Sequence, residues 1–259
     1  MNYLNMGERE VPVVGLGTWD LRGSECVRSV RTALELGYRL IDTAEIYANE
    51  KEVGEAVQES GIDREDIILT TKVWTNNLRY DDCLGSLHES LKKLRMDYVD
   101  LYLIHWPTDS VPLEETMKAM DRLLEEGMTR AIGVSNFNAS LLDQARLMSA
   151  FNVVCDQVKY HPFISQAELL EYCQGNGVVL TAYSPLARGR VRGNPVLEEI
   201  GKRYGKNASQ VALRWLIQQP WVQVIPKAAG RKHQQENIDI FDFELTHDEM
   251  AEIFTLNEA

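Results

Sequence analysis

Eight short apolar runs rich in β-branched residues recur along this chain, each separated from the next by a longer segment with helical spacing. No other feature limits the possible folds as much. The runs are Val13 to Thr18, Arg39 to Thr43, Ile67 to Val73, Val99 to His105, Arg130 to Ser135, Val153 to Val158, Val178 to Tyr183 and Val222 to Lys227. Strands that alternate with helices lie parallel and are joined by right-handed crossovers, which defines an α/β protein. A closed (β/α)8 barrel and an open doubly wound sheet both satisfy that pattern. No Gly-x-Gly-x-x-Gly follows any run, which weighs against an open dinucleotide-binding sheet. The 259 residues match the ~250 typical of one barrel. No Pro-, Gly- or Ser-rich linker interrupts them, so the expectation is a single domain over residues 1–259.

The intervening segments carry helix signals of their own. Leu84, Leu87, Leu91 and Leu94 fall on one face of a helix over Asp81 to Leu94. Cys26, Val30, Ala33 and Leu34 do the same in the first helix, and Gly37 follows as its stop. Ser165 and Glu168 have the spacing of a capping box ahead of Leu169 and Leu170. Asn207 to Gln219 carries Ser209 near its start, and Thr246 to Thr255 reads as a last helix.

Composition excludes several function classes. Apolar residues at 44% and charged residues at 25% are ordinary for a folded domain. A net charge of −12 repels nucleic acid and anionic membrane, so neither is expected as a partner. Cys26, Cys83, Cys155 and Cys173 form no Cys-x-x-Cys pair and read as reduced cytosolic thiols. The first residues lack a basic stretch leading into an apolar run, and no apolar stretch reaches the ~18 residues of a membrane span. A cytoplasmic monomer is the expectation. The five histidines show no His-x-His or His-Glu-x-x-His spacing, so no metal is expected.

In a parallel barrel, functional residues gather at the carboxyl ends of the strands. Polar and titratable residues recur at that end of nearly every run. They are Gly17-Thr18-Trp19, Asp42 leading to Tyr47, Lys72, His105-Trp106, Ser135-Asn136, Gln157, Tyr183-Ser184 and Lys227. Taken singly, Tyr47 reads as a loop tyrosine and Tyr183 as a core aromatic, while His105 reads equally as a satisfied core histidine or a functional one. Lys72 ending an apolar strand is odder, because a buried ammonium demands a partner.

These segments resemble the aldo-keto reductase family, in order and over nearly the whole chain. The matching stretches include Gly15 to Trp19, Asp42 to Tyr47, Thr71 to Trp74, Leu103 to Pro107, Ile132 to Phe137, Gln157 to Pro162, Ala182 to Leu186 and Val224 to Lys227. The small bacterial and archaeal members, similar to 2,5-diketo-gluconate reductases, match best. The resemblance implies a (β/α)8 TIM barrel preceded by a short N-terminal hairpin, with a truncated carboxy-terminal loop that leaves the pocket open. It implies NAD(P)H-dependent reduction of small aldehydes, ketoaldehydes or keto sugars. It assigns Tyr47 as proton donor, Lys72 as an ammonium that eases loss of the phenolic proton, Asp42 as the partner of Lys72, and His105 as the group that orients the substrate oxygen. Family members that reduce carbon–carbon double bonds carry glutamate where His105 stands, so a carbonyl substrate is implied.

The resemblance also places the cofactor. Tyr183 is expected to stack on the nicotinamide, and Ser135, Asn136 and Gln157 to hydrogen-bond its carboxamide. Gly17, Thr18 and Trp19 are expected beside the nucleotide. Ser184, Leu186 and the loop Arg188-Gly189-Arg190 are expected near the diphosphate, and Lys227, His233, Glu236 and Asn237 at the adenosine end. Asp156 replaces the asparagine usual before the glutamine. Members that prefer NADPH usually read Lys-Ser after the eighth strand, with arginine six residues past the lysine. Here those positions are Lys227, Ala228 and His233. Loss of a hydroxyl and a guanidinium weakens selection for a 2′-phosphate, so use of both NADPH and NADH is expected, with Arg231 or Lys232 as compensating cations. Trp19, Trp74 and Trp106 are expected to wall the substrate entrance. Other classes remain open at this stage: a catalytically weak nicotinamide-nucleotide sensor or regulatory subunit, and a phosphate-binding isomerase.

Overall fold

The computed structural model describes residues 2–257; the expected domain of residues 1–259 extends past them at both ends. Each of the eight apolar runs contributes one strand to a single parallel sheet. After an antiparallel hairpin of β1 (Tyr3–Met6) and β2 (Arg9–Pro12) come β3 (Leu16–Gly17), β4 (Leu40–Asp42), β5 (Ile68–Val73) and β6 (Leu101–Ile104). The series ends with β7 (Ile132–Ser135), β8 (Val153–Lys159), β9 (Val179–Tyr183) and β10 (Val222–Val224). Neighbours in sequence are neighbours in the sheet from β3 to β10. The ends then meet: Val14 bridges Val224 in parallel, and Gly15 N donates to Val224 O at 2.8 Å. The sheet is therefore a closed barrel.

Closure trims the two strands that make it. The runs Val13 to Thr18 and Val222 to Lys227 shrink to β3 and β10 because they meet through isolated bonds, such as Gly17 N to Pro226 O at 3.3 Å. Gly17 is required there, since a Cβ would lie 2.6 Å from the carbonyl oxygen of Ile225. The hairpin plugs the amino-terminal end. Met6 and Val11 pack with Leu40, Ile68, Leu101, Val154 and Val179, most of them at or near strand starts, in a core cluster inside the barrel. A larger cluster fills the layer between the strands and the helices.

The helices that position the site are α1 (Gly23–Glu35), α2 (Glu50–Glu59), α3 (Tyr80–Leu94), α4 (Leu113–Glu125), α5 (Ala139–Met148) and α6 (Ala167–Asn176). They are followed by α7 (Pro195–Tyr204), α8 (Ala208–Ile217), α9 (Arg231–Ile238) and α10 (His247–Phe254). Helix α1 stops as expected, with Gly37 at φ +96°. Two expected starts differ. The capping box at Ser165 and Glu168 does not form; Gln166 precedes α6 without a side-chain cap, and Ser165 Oγ accepts only from Ala167 N, at 3.3 Å. Helix α8 is capped by Asn207 with Gln210, not by Ser209, which is buried inside the first turn. Asn207 stands one residue before the helix, where its side-chain oxygen reaches the third amide. All four cysteines are buried and free. Among the described residues no helix is long and apolar enough to cross a membrane.

Candidate active site

The carboxyl ends of β4 and β5 bring the first charges together. Asp42 closes β4 and pairs in register with Thr70. Lys72 lies two residues further along β5, on the same face. Lys72 is fully buried and spends its ammonium on three oxygens. It donates to Asp42 Oδ1 at 2.6 Å and to Thr43 O at 2.7 Å, and stands 3.5 Å from the Tyr47 hydroxyl. Tyr47 ends a single 3-10 turn, Glu45–Tyr47, closed by Ala48 in the left-handed region. Asn49 pins that turn to the β3 loop. It accepts from Thr43 Oγ1 at 2.7 Å and donates to Thr18 O at 2.9 Å and Leu21 O at 3.1 Å.

Burial and charge set the protonation states. Burial pulls the Lys72 ammonium down, but Asp42 first and Tyr47 after it together outweigh that pull and hold it above its ordinary range. Burial raises the Tyr47 phenol, and Lys72 opposes that rise without cancelling it. The expected easing by the ammonium is thus present but outweighed, and Tyr47 keeps its proton throughout the neutral range. His105 follows β6 and is lowered to about 3, first by burial and then by Lys72, so the ring is neutral. Its Nδ1 is buried without a partner among the described residues. A bare lone pair there is cheaper than an orphaned N–H, which favours the tautomer with hydrogen on Nε2. Tyr47 and Trp74 pack edge-on to the ring, with centroids at 5.6 and 5.1 Å.

The next strands supply an amide-rich wall. Ser135 ends β7, and Asn136 follows in the left-handed region at φ +65°. Asn136 Nδ2 donates to His105 O and to Ser135 Oγ, each at 3.0 Å, while its Oδ1 accepts from the Tyr183 hydroxyl at 2.9 Å. Ser135 Oγ donates to Gln157 O at 2.6 Å. Gln157 Nε2 donates to Asp42 Oδ2 at 2.7 Å. The wall is therefore hydrogen-bonded from Tyr183 round to Lys72.

Asp42, Tyr47, His105, Ser135, Asn136, Gln157 and Tyr183 line one cavity of about 340 Å³ at the carboxyl ends of the strands, with Lys72 buried behind it. Trp19, Trp74 and Trp106 line it too, as do Gly17, Ser184 and Lys227. Trp19 and Trp106 are 49% and 42% exposed, so the mouth is open. Other expected residues fall elsewhere. Thr18 is fully buried, and its hydroxyl donates to Asp42 O at 2.9 Å. Leu186 packs on the core. His233 is exposed on α9, Glu236 is half-buried and Asn237 is buried, all three outside the cavity lining. Sequence reasoning missed Ile46 and Ile225 as lining residues, and Asn49 as the pin of the Tyr47 turn. Arg188, expected only as part of the basic loop near the diphosphate, lines the cavity with its guanidinium 5.2 Å from the Trp19 ring centroid, a stacking no local pattern signalled.

A parallel barrel that gathers a buried lysine–aspartate pair, a tyrosine and a neutral histidine at the carboxyl end of its strands has the layout of a barrel enzyme. The sequence profile of the aldo/keto reductase family matches residues 13–258, and the chain belongs to that family. It is 42% identical over 250 residues to glyoxal reductase of Bacillus subtilis (strain 168), covering 96% of this chain and 90% of the relative. Among solved structures, aldose reductase from Schistosoma japonicum superposes with a TM-score of 0.94 at 38% identity, covering 100% of this chain and 94% of that one. An aldo-keto reductase from Bombyx mori in complex with NADP superposes with a TM-score of 0.92 at 35% identity, covering 99% and 92%. The protein is an aldo-keto reductase, of a family that works with NAD(P)H.

Proposed function

We propose that this enzyme reduces small aldehydes, ketoaldehydes or keto sugars to alcohols, with Tyr47 as the proton donor. One observation carries the reading: the Tyr47 phenol, the Lys72–Asp42 pair and the neutral His105 converge at one end of a cavity. Tyr47 gives its proton to the carbonyl oxygen, and Lys72 stabilises the phenolate left behind. Asp42 keeps Lys72 charged. His105 offers its Nε2 hydrogen to the same oxygen, a contribution of up to ~3–4 kcal/mol in a dry site.

The residues present fit a nicotinamide nucleotide. Gln157 retains an unpaired carbonyl oxygen and one N–H for a carboxamide, and the half-buried Tyr183 ring lines the cavity beside it. When bound, the reduced nicotinamide supplies the hydride. Ser184 and the Arg188 loop would hold the diphosphate, and Lys227, His233, Glu236 and Asn237 the adenosine end. The changes at Ala228 and His233 support use of both NADPH and NADH. The three tryptophans at an open mouth support a broad range of small substrates held weakly, and the glyoxal reductase relative supports a small carbonyl. Buried thiols and an acidic composition fit a single-domain monomer in a reducing cytoplasm.

Changing Tyr47 to Phe removes the acid and little else. The expected result is a ~10²–10⁴-fold fall in kcat with nucleotide affinity unchanged, read by steady-state kinetics and fluorescence titration. Near-native turnover would show that Tyr47 is not the acid.

A further inference from the structure

Gln157 sits on β8, 3% exposed, and reaches a carboxylate 115 residues away in the chain. A glutamine amide has two donor hydrogens and an acceptor oxygen. One hydrogen is spent on Asp42 Oδ2, at 2.7 Å. Among the described residues the other hydrogen and the oxygen have no partner, and the residue lines the cavity. The backbone leaves the side chain little freedom, because Gln157 O accepts from Ser135 Oγ at 2.6 Å and from Asn136 N at 3.0 Å. The amide is thus built to hold two things at once: a carboxamide in the cavity and Asp42 in the wall.

We infer that Gln157 is a positioning residue for the proton donor, acting through Asp42 and Lys72 to set how readily Tyr47 yields its proton. The inference rests on the reading of Tyr47 as the acid. Asp42 has two oxygens and two side-chain donors, Lys72 on Oδ1 and Gln157 on Oδ2. A donor hydrogen on a carboxylate draws off part of its charge. Without the Gln157 bond, more of the Asp42 charge bears on its surroundings, with little water to screen it. Two consequences have the same sign. The Asp42 charge directly opposes ionisation of Tyr47. A stronger hold on Lys72 also draws the ammonium from the phenol, 3.5 Å away. Both make Tyr47 a weaker acid. The other titratable groups facing Tyr47 are His105 and Tyr183, and Cys155 faces Asp42. None of them donates to Asp42 Oδ2.

The test replaces Gln157 with Met, which keeps the length and removes the amide. Tyrosines are labelled with ¹³C at Cζ, and the Tyr47 signal is identified by its loss in Tyr47→Phe. In nucleotide-free protein the Tyr47 titration should move to higher pH than in wild type. At saturating cofactor, the alkaline limb of kcat/KM for a small aldehyde should move the same way, with a lower plateau. An unchanged Tyr47 titration, with only the cofactor KM raised, would overturn the inference and leave Gln157 a carboxamide ligand. If the Met variant does not fold, Gln157→Asn is used; it is one methylene too short to serve both partners, and the same shift is expected. Near-native turnover by Tyr47→Phe would instead sink the assignment of the acid, while the titration would still report whether Gln157 acts on Tyr47.

Discussion

At the scale of single residues, Asp156 is the position where this chain works against its own stability. It is fully buried on β8, beside Gln157, and among the described residues neither carboxylate oxygen has a hydrogen-bond partner of good geometry, the Phe137 backbone being near but poorly placed. Burial raises it well above the ordinary carboxyl range, and the Phe137 backbone opposes the rise only in part. A folded acid held above its unfolded value gives full stability below the unfolded value of ~3.9. That stability declines as pH rises through the interval, because the unfolded chain ionises and the folded one does not. Asp156→Asn cannot ionise. It should therefore be more stable than wild type at pH 8, by a margin that shrinks towards pH 4, as read from urea midpoints across that range. Equal midpoints at pH 8 would count against a strained Asp156. The same scale shows why the residues proposed to react were legible. Asp42, Lys72 and His105 each end an apolar run or immediately follow one, where a charge is out of place unless it is used. The Gln157 bond to Asp42 was not legible, because no local pattern records which side chain lies opposite across a barrel.

At the scale of elements, the eight runs were readable and their ends were not. Strand periodicity is local, while strand length depends on what the neighbour pairs with. The eighth run is regular strand only to Val224; beyond it single bonds continue to both neighbours, Ile225 N to Ala182 O at 3.2 Å on β9 and Gly17 N to Pro226 O at 3.3 Å on the β3 side. The loop after β10 and helix α9 carry the residues proposed for the adenosine end of the cofactor. Ala228 O accepts from Ser29 Oγ and Gln234 Nε2, each at 2.9 Å, which anchors the loop without adding a hydroxyl donor. The two compensating cations have carboxylate neighbours: Arg231 lies 2.8 Å from Glu35, and Lys232 lies 3.8 Å from Glu236. On that arrangement, kcat/KM for NADH and NADPH should agree within about tenfold. His233→Arg should shift the ratio towards NADPH by about tenfold, the value of one charge-assisted contact of ~1.4 kcal/mol. A large NADPH preference in the unaltered enzyme would refute dual use.

At the scale of the whole molecule, closure and the plugged base make one unit. The hairpin seals the end away from the site, and Asp100 beneath it gathers Arg9, Arg64 at 2.8 Å and Arg130 at 3.7 Å. A buried carboxylate with three guanidinium partners leaves them uncompensated when removed, so its role is structural. A net charge of −12 favours separate molecules. Sedimentation at low and moderate salt should give the monomer mass; a salt-independent dimer would contradict that reading.

Alone, the sequence determined the α/β class, the order of strands and helices and the end of the strands at which polar and titratable residues gather. These depend on periodicity and side-chain chemistry within a few residues. The tertiary structure decided the rest: where β3 meets β10, that Gln157 caps Asp42, that burial outweighs Lys72 at Tyr47, and that Arg188 lies over Trp19. Each of those depends on register and burial summed over distant segments, which exist only once the barrel has closed.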